Sequence, residues 1–304
     1  MARLKFKDIL FDELCPIYVE TQDDFEKIAT GVLLNVFDNV FLLTASHVID
    51  QAKNINKEIA IPTKNGLENI SGTLYHRYLQ KNENRDDDML DFSWYKLAPK
   101  MIDILHEDFI PLTKEKIEIS DDFTFQHDKS LEPIPVKEMM KRMKFLYDNP
   151  TPENNEKLEF INDFIIKSKI IFVGYPNTKS KVRETSYSDE KTYYHGDGVG
   201  EDIYKSYNCT LVDNIIAEYG KKGTMNTDFD ATNSPKPEGI SGGGIYRLIE
   251  TKDGLDRKLI GIGHTYKAKK HLFIGTNISF CLDVISQRLE REKSILQEEL
   301  INDI

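Results

Sequence analysis

The chain has 304 residues, 39% hydrophobic and 30% charged, enough apolar material for one large core or two modest ones in a globular protein. Fifty-one acidic against 40 basic residues leave a formal charge of −11. That field repels phosphate backbones and anionic lipid, so neither nucleic acid nor membrane is an expected partner. Three widely spaced cysteines, Cys15, Cys209 and Cys281, build neither a disulfide framework nor a CxxC metal site, and a reducing, cytoplasmic setting is expected.

The opening MARLKFKDILFDELCP is broken by Lys7, Asp8, Asp12 and Glu13, so it holds no secretion h-region. No run reaches the roughly 18 apolar residues of a membrane span. Next come short β-type runs. GVLLNVF (31–37) and VFLLTA (40–45) flank Asp38-Asn39 and predict a hairpin with a two-residue turn. Strands are predicted in EIAIPT (58–63), SGTLYHRYL (71–79), DFSWYKL (91–97), KIIFVGYP (169–176) and NCTLVDNII (208–216). GGIYRLI (243–249), KLIGIGHTY (258–266) and HLFIGTNISF (271–280) complete the set. Their even spacing points to an all-β barrel or sandwich and not to βαβ units.

Two segments depart from that pattern. In 136–149, Met139, Met140, Met143, Leu146 and Tyr147 form one helical stripe, and after Pro150 a second runs through Leu158, Ile161 and Ile165. A helical insertion over 134–167, packed on a barrel face, is expected. The last segment, 282–302, carries Leu282, Ile285, Leu289, Leu296 and Leu300 on one side of an amphipathic helix expected to dock on the second barrel.

The chemistry centres on EGISGGG (238–244). A serine hydroxyl is a poor nucleophile unless a base takes its proton and donors stabilise the oxyanion. Gly239 allows a loop in which the amides of Gly239 and Ser241 converge on one point, and Gly242 and Gly243 leave room for a substrate carbonyl. A glycine-rich turn without chemistry is the competing reading of these seven residues. In TASHVID (44–50), His47 stands where a strand breaks into a helical turn, behind a run of small residues. The acid that would orient it is Asp91, at the mouth of a half-buried strand; Asp86, Asp87 and Asp88 compete from a charged run that reads more simply as a solvated loop.

Taken together, TGVLLNV and VFLLTASHVI, LDFSWYKL, FVGYP, and EGISGGGIYRL with KLIGIGH resemble the chymotrypsin/trypsin-like serine peptidases, in particular the bacterial, disulfide-free, single-domain type. The resemblance spans roughly residues 17–290 in outline, and the order His47, Asp91, Ser241 is that family's. It implies a chymotrypsin-like double β-barrel: a first barrel over 17–115, the helical insertion, a second barrel over 168–281 and the C-terminal helix. It further implies a catalytic triad of His47, Asp91 and Ser241 in the cleft, an oxyanion hole from Gly239 and Ser241, and no metal or organic cofactor. A catalytically inactive binding module and an esterase on the same scaffold are the alternatives.

Ile240 stands where the animal digestive enzymes carry an aspartate that pairs with a newly cut N-terminus, so Ile240 is expected to pack into the second barrel instead. The family's specificity pocket maps to Pro235, Lys236, Gly263 and His264. Pro235 holds the floor position where an acid would favour basic substrates; Lys236 and His264 leave an acidic preference open. HGDGVG (195–200) follows no evident strand and opens no evident helix, so it reads as a mobile loop near the cleft rather than a nucleotide site. Expected partners are a protein or peptide substrate and a protein activator or inhibitor, since a cytoplasmic protease must be restrained.

Overall fold

Strand ends are set by local chemistry. Between the second and third strands, Phe37 and Asp38 both have positive φ, 52° and 56°, the two-residue turn whose twist suits a hairpin. This lies one residue earlier than expected, because Asn39 pairs with Val36 and its side-chain amide reaches back to the Phe37 carbonyl. The computed structural model describes residues 10–21, 25–78, 85, 88–118, 124–125, 134–135, 145–146, 148–154, 169–177, 180–183, 186–189, 191–225, 231–232, 238–251 and 254–302.

The first sheet contains β1 Leu14–Glu20, β2 Phe25–Val36, β3 Asn39–Thr44, β4 Ile59–Thr63, β5 Gly66–Asn69, β6 Gly72–Tyr75, β7 Ser93–Leu97 and β8 Leu112–Thr113, with helices α1 Ser46–Asn54 and α2 Pro99–Ile104. Its order is β5-β4-β1-β2-β3-β7-β6, with β8 beside β2. Among the described residues β5 and β6 do not meet, so the sheet is a half-barrel. β1 lacks the alternation of a half-exposed strand because six of its seven residues are buried between β2 and β4, and Pro16 further masks it in the sequence.

After a hairpin of β9 Thr124–Phe125 and β10 Ile134–Pro135 comes the second sheet. It contains β11 Lys169–Gly174, the separate hairpin β12 Ser180–Arg183 and β13 Ser186–Asp189, then β14 Thr192–Gly198 and α3 Glu201–Ser206. The remaining elements are β15 Asn214–Met225, β16 Ala231–Thr232, β17 Gly244–Thr251, β18 Gly254–Lys267, β19 Leu272–Asn277 and α4 Ile278–Asn302. The order β14-β11-β17-β18-β19-β15, with β14 also bonded to β15, closes six strands into a barrel.

HGDG is therefore the end of β14, bonded on both sides, and not a mobile loop. The expected strand over 208–216 starts only at Asn214. Thr210, Asp213 and Asn214 bond to one another and to nearby backbone amides, and such local bonds compete with a ladder. Likewise Asn277 ends β19: its Oδ1 accepts from the N–H of Ser279 at 3.0 Å and so caps α4, which begins four residues earlier than expected. The insertion over 134–167 falls for the most part outside the described residues.

Ile17, Leu33, Leu42 and Ile61 fill the first unit, and Phe172, Tyr194, Ile245 and Phe273 the second. A shared cluster joins them, in which Phe41, Leu43 and Trp94 meet Val173, Tyr246 and Ile262, with Ile278, Leu282 and Ile285 of α4 closing it. The helix thus seals the seam between both units.

Candidate active site

Helix α1 begins without a local cap, since Ala45 at its N-cap offers no side-chain acceptor. The acceptor comes from Asp91. Its Oδ1 accepts from the backbone N–H of His47 at 3.0 Å and its Oδ2 lies 2.5 Å from His47 Nδ1. The Asp91 side chain is 2% exposed and that of His47 34%. Burial alone would raise the Asp91 pKa, but the bonds and charge of His47 outweigh it and hold the carboxyl below its usual range. With Nδ1 held by the carboxylate, Nε2 is the nitrogen left for proton transfer. Of the competing acids, Asp88 is engaged by Arg85, Arg77 and the Leu90 amide, and Asp86 and Asp87 lie outside the described residues.

The serine loop is built on two left-handed glycines. Gly239 has φ +90° and a Cβ there would meet Asn177 Oδ1 at 1.9 Å; Gly242 has φ +85° and a Cβ would meet Thr30 O at 2.1 Å and Thr44 Oγ1 at 2.2 Å. Only glycine fits both constraints. The Gly243 amide donates to Ile240 O at 2.8 Å, while Ile240, 2% exposed, sits in the second-barrel core. The loop is tied across the seam: Thr30 N–H donates to Ser241 O at 2.9 Å, Thr30 Oγ1 to Gly239 O at 3.1 Å, and Gly242 rests against Thr44, three residues before His47. Thr30 was not singled out in the sequence, where only its place ahead of GVLLNV marks it. Among the described residues neither the Gly239 nor the Ser241 amide has an acceptor, which leaves two donors for an anion.

The Ser241 hydroxyl itself donates to the His264 carbonyl at 3.4 Å and makes no hydrogen bond to His47. His264 lies beside the serine, its carbonyl facing the Ser241 hydroxyl. The residue is 4% exposed, Nδ1 pairs with Thr265 Oγ1 at 2.9 Å, and Nε2 has no side-chain partner among the described residues. Burial lowers its pKa to about 4 against the pull of Asp91, with His47 also within electrostatic reach. Burial thus disfavours a charged ring, which stands within electrostatic reach of the His47–Asp91 pair. Gly263 is also committed to the serine loop, donating to Gly243 O at 2.9 Å and accepting from Gly242 N–H at 2.7 Å. Pro235 and Lys236 lie outside the described residues.

No protein-family model matches the chain, and no curated protein matches it in sequence. Among solved structures it is similar to neuropsin, a serine protease expressed in the limbic system of mouse brain, at TM-score 0.50 and 12% identity, over 92% of this chain and 95% of that one. A protease of Vibrio cholerae, VesB, aligns at TM-score 0.48 and 13% identity over 92% of this chain and 64% of that one. At such identity the likeness is one of fold. The half-barrel, the closed six-stranded barrel, the sealing helix and the similarity to neuropsin give this chain the chymotrypsin-like double β-barrel fold.

Proposed function

We propose that the chain is a serine endopeptidase, with Ser241 as nucleophile, His47 as base and Asp91 as the carboxylate that orients it. The observation that carries this reading is the double hold of Asp91 on His47 beside a serine loop with two unengaged amides. In acylation the Ser241 O–H turns from the His264 carbonyl to His47 Nε2 and gives up its proton there, while Oγ bonds to the scissile carbonyl carbon. The Gly239 and Ser241 amides receive the oxyanion. As the C–N bond breaks, the leaving amine takes the proton from His47; water then repeats the sequence on the ester and releases the acid.

The substrate is a protein or peptide. Three buried cysteines, none in a disulfide among the described residues, favour a reducing, cytoplasmic setting. A hydroxyl resting on a carbonyl instead of on its base favours a regulated enzyme, which a protein activator or inhibitor would control. The test is a fluorophosphonate probe with casein hydrolysis in parallel: wild type should be labelled and active, Ser241→Ala neither. An unlabelled, folded wild type would sink the proposal, and ester hydrolysis without casein cleavage would favour the esterase.

A further inference from the structure

A second polar chain, enclosed at its serine and histidine members, runs along one face of α1 and is made of side chains that the triad does not use. Ser46 Oγ lies 2.7 Å from Ser93 Oγ, His76 Nδ1 lies 2.8 Å from that same Ser93 oxygen, and His76 Nε2 lies 2.8 Å from Asp50 Oδ1. Asp50 Oδ2 accepts from Arg85 Nε at 2.8 Å, Arg85 Nη1 donates to Asp88 at 2.8 Å, and Asp88 accepts from the Leu90 amide at 3.2 Å. Both serines are fully enclosed and the His76 side chain is 1% exposed.

One proton arrangement satisfies every member. Neutral His76 donates from Nε2 to Asp50 and accepts at Nδ1 from the Ser93 hydroxyl, which in turn accepts from Ser46. Burial favours the neutral ring over the pull of Asp50; Lys53 and Arg85 act in the same sense as burial. Enclosing an imidazole and two hydroxyls costs desolvation that an apolar trio would avoid, so the gain is directional.

The positions of these residues indicate what is being directed. Ser46 immediately precedes His47, and Asp50 lies one turn further on the same face of α1. Ser93 opens β7 two residues after Asp91, and Asp88 secures the loop three residues before it. Because α1 has no local cap, its N-terminal turn is held to the sheet by Asp91 on the His47 amide and by this chain. We propose that His76 is a positioning residue that, through Ser93, Ser46 and Asp50, clamps α1 to β7 and thereby keeps His47 in register with Asp91, an inference that rests on His47 being the base.

The test compares His76→Ala with His76→Gln, whose amide offers one acceptor and one donor in place of the two ring nitrogens. The first readout needs no substrate: the far-downfield proton resonance of His47 Nδ1–H, assigned by its loss in Asp91→Asn. His76→Ala should weaken or abolish it and His76→Gln should restore it. The second is kinetic, with kcat falling about 10²-fold in His76→Ala, KM little changed, and recovery in His76→Gln. If His76→Ala does not fold, Ser93→Ala carries the same readouts. A folded His76→Ala or Ser93→Ala protein with the resonance and kcat of wild type overturns the proposal. A wild type that shows the resonance but hydrolyses nothing would instead count against the peptidase reading.

Discussion

Asp91 serves His47 twice, as the cap of the helix that carries it and as the partner of its ring: Oδ1 accepts the His47 backbone N–H at 3.0 Å and Oδ2 faces Nδ1 at 2.5 Å. One buried carboxylate therefore bonds both the backbone and the ring of His47. Asp91→Asn should lower kcat by about 10⁴-fold, by inverting the hydrogen-bond sense at Nδ1. The stability that Asp91 contributes has a definite pH window. Its folded pKa is depressed, so the contribution is complete above the unfolded value of about 4 and is lost as pH falls through the folded one. Urea unfolding at stepped pH should find the gap between wild type and Asp91→Asn narrowing below about pH 4.

His264 titrates in the opposite chemical sense but with the same direction of stability change. The unfolded ring takes up its proton near pH 6.5 and the buried one only at about 4, so the unfolded state binds more protons between those values. Wild type should lose up to roughly 3 kcal/mol over that interval from this group alone. His264→Asn should flatten the urea-derived stability profile across the same range, and an unchanged slope would show that the ring is not desolvated.

At Gly239 the backbone conformation and the packing make the same demand. Gly239→Ala places a methyl group on a left-handed residue against Asn177 and must displace the amide proposed for the oxyanion. The rate of fluorophosphonate labelling should fall about 10²- to 10³-fold while the circular dichroism spectrum is retained. Labelling at the wild-type rate would remove Gly239 from the oxyanion hole.

Arg257 Nη2 and Glu13 Oε2 lie 2.6 Å apart at 12% and 2% side-chain exposure, joining β18 to the segment that leads into β1. Glu13→Gln leaves the guanidinium enclosed without its counter-charge and should cost about 3–5 kcal/mol in chemical denaturation. The Glu13→Leu/Arg257→Met double variant should recover most of that loss. Equal stability of Glu13→Gln and wild type would mean that Arg257 keeps its solvation.

Periodicity and punctuation made much of the fold legible, because they depend on residues close together along the chain. Two short apolar runs over 31–37 and 40–45 separated by a turn dipeptide point to a hairpin, and small residues around Ser241 to a loop that tolerates positive φ. An uncharged Ile240 called for an apolar setting, which the second-barrel core supplies. The pattern misleads in two ways: a local side-chain cap at Asn277, two residues from Ser279, turns an apolar run from strand into helix, and long-range pairing in the second barrel enrols HGDG as the end of a strand.

The surroundings of each polar side chain are another matter. His76, His264 and His47 are equally plain in the sequence, yet one is clamped between a serine and an aspartate, one is enclosed and neutral, and one is held half-exposed by Asp91. A side chain's burial and partner come from segments far away in the chain, as when Thr30 reaches across the seam to the loop of Ser241. Local residue order specifies which conformations a segment accepts, and only the packed assembly determines the dielectric and the hydrogen-bond partner that give each histidine its chemistry.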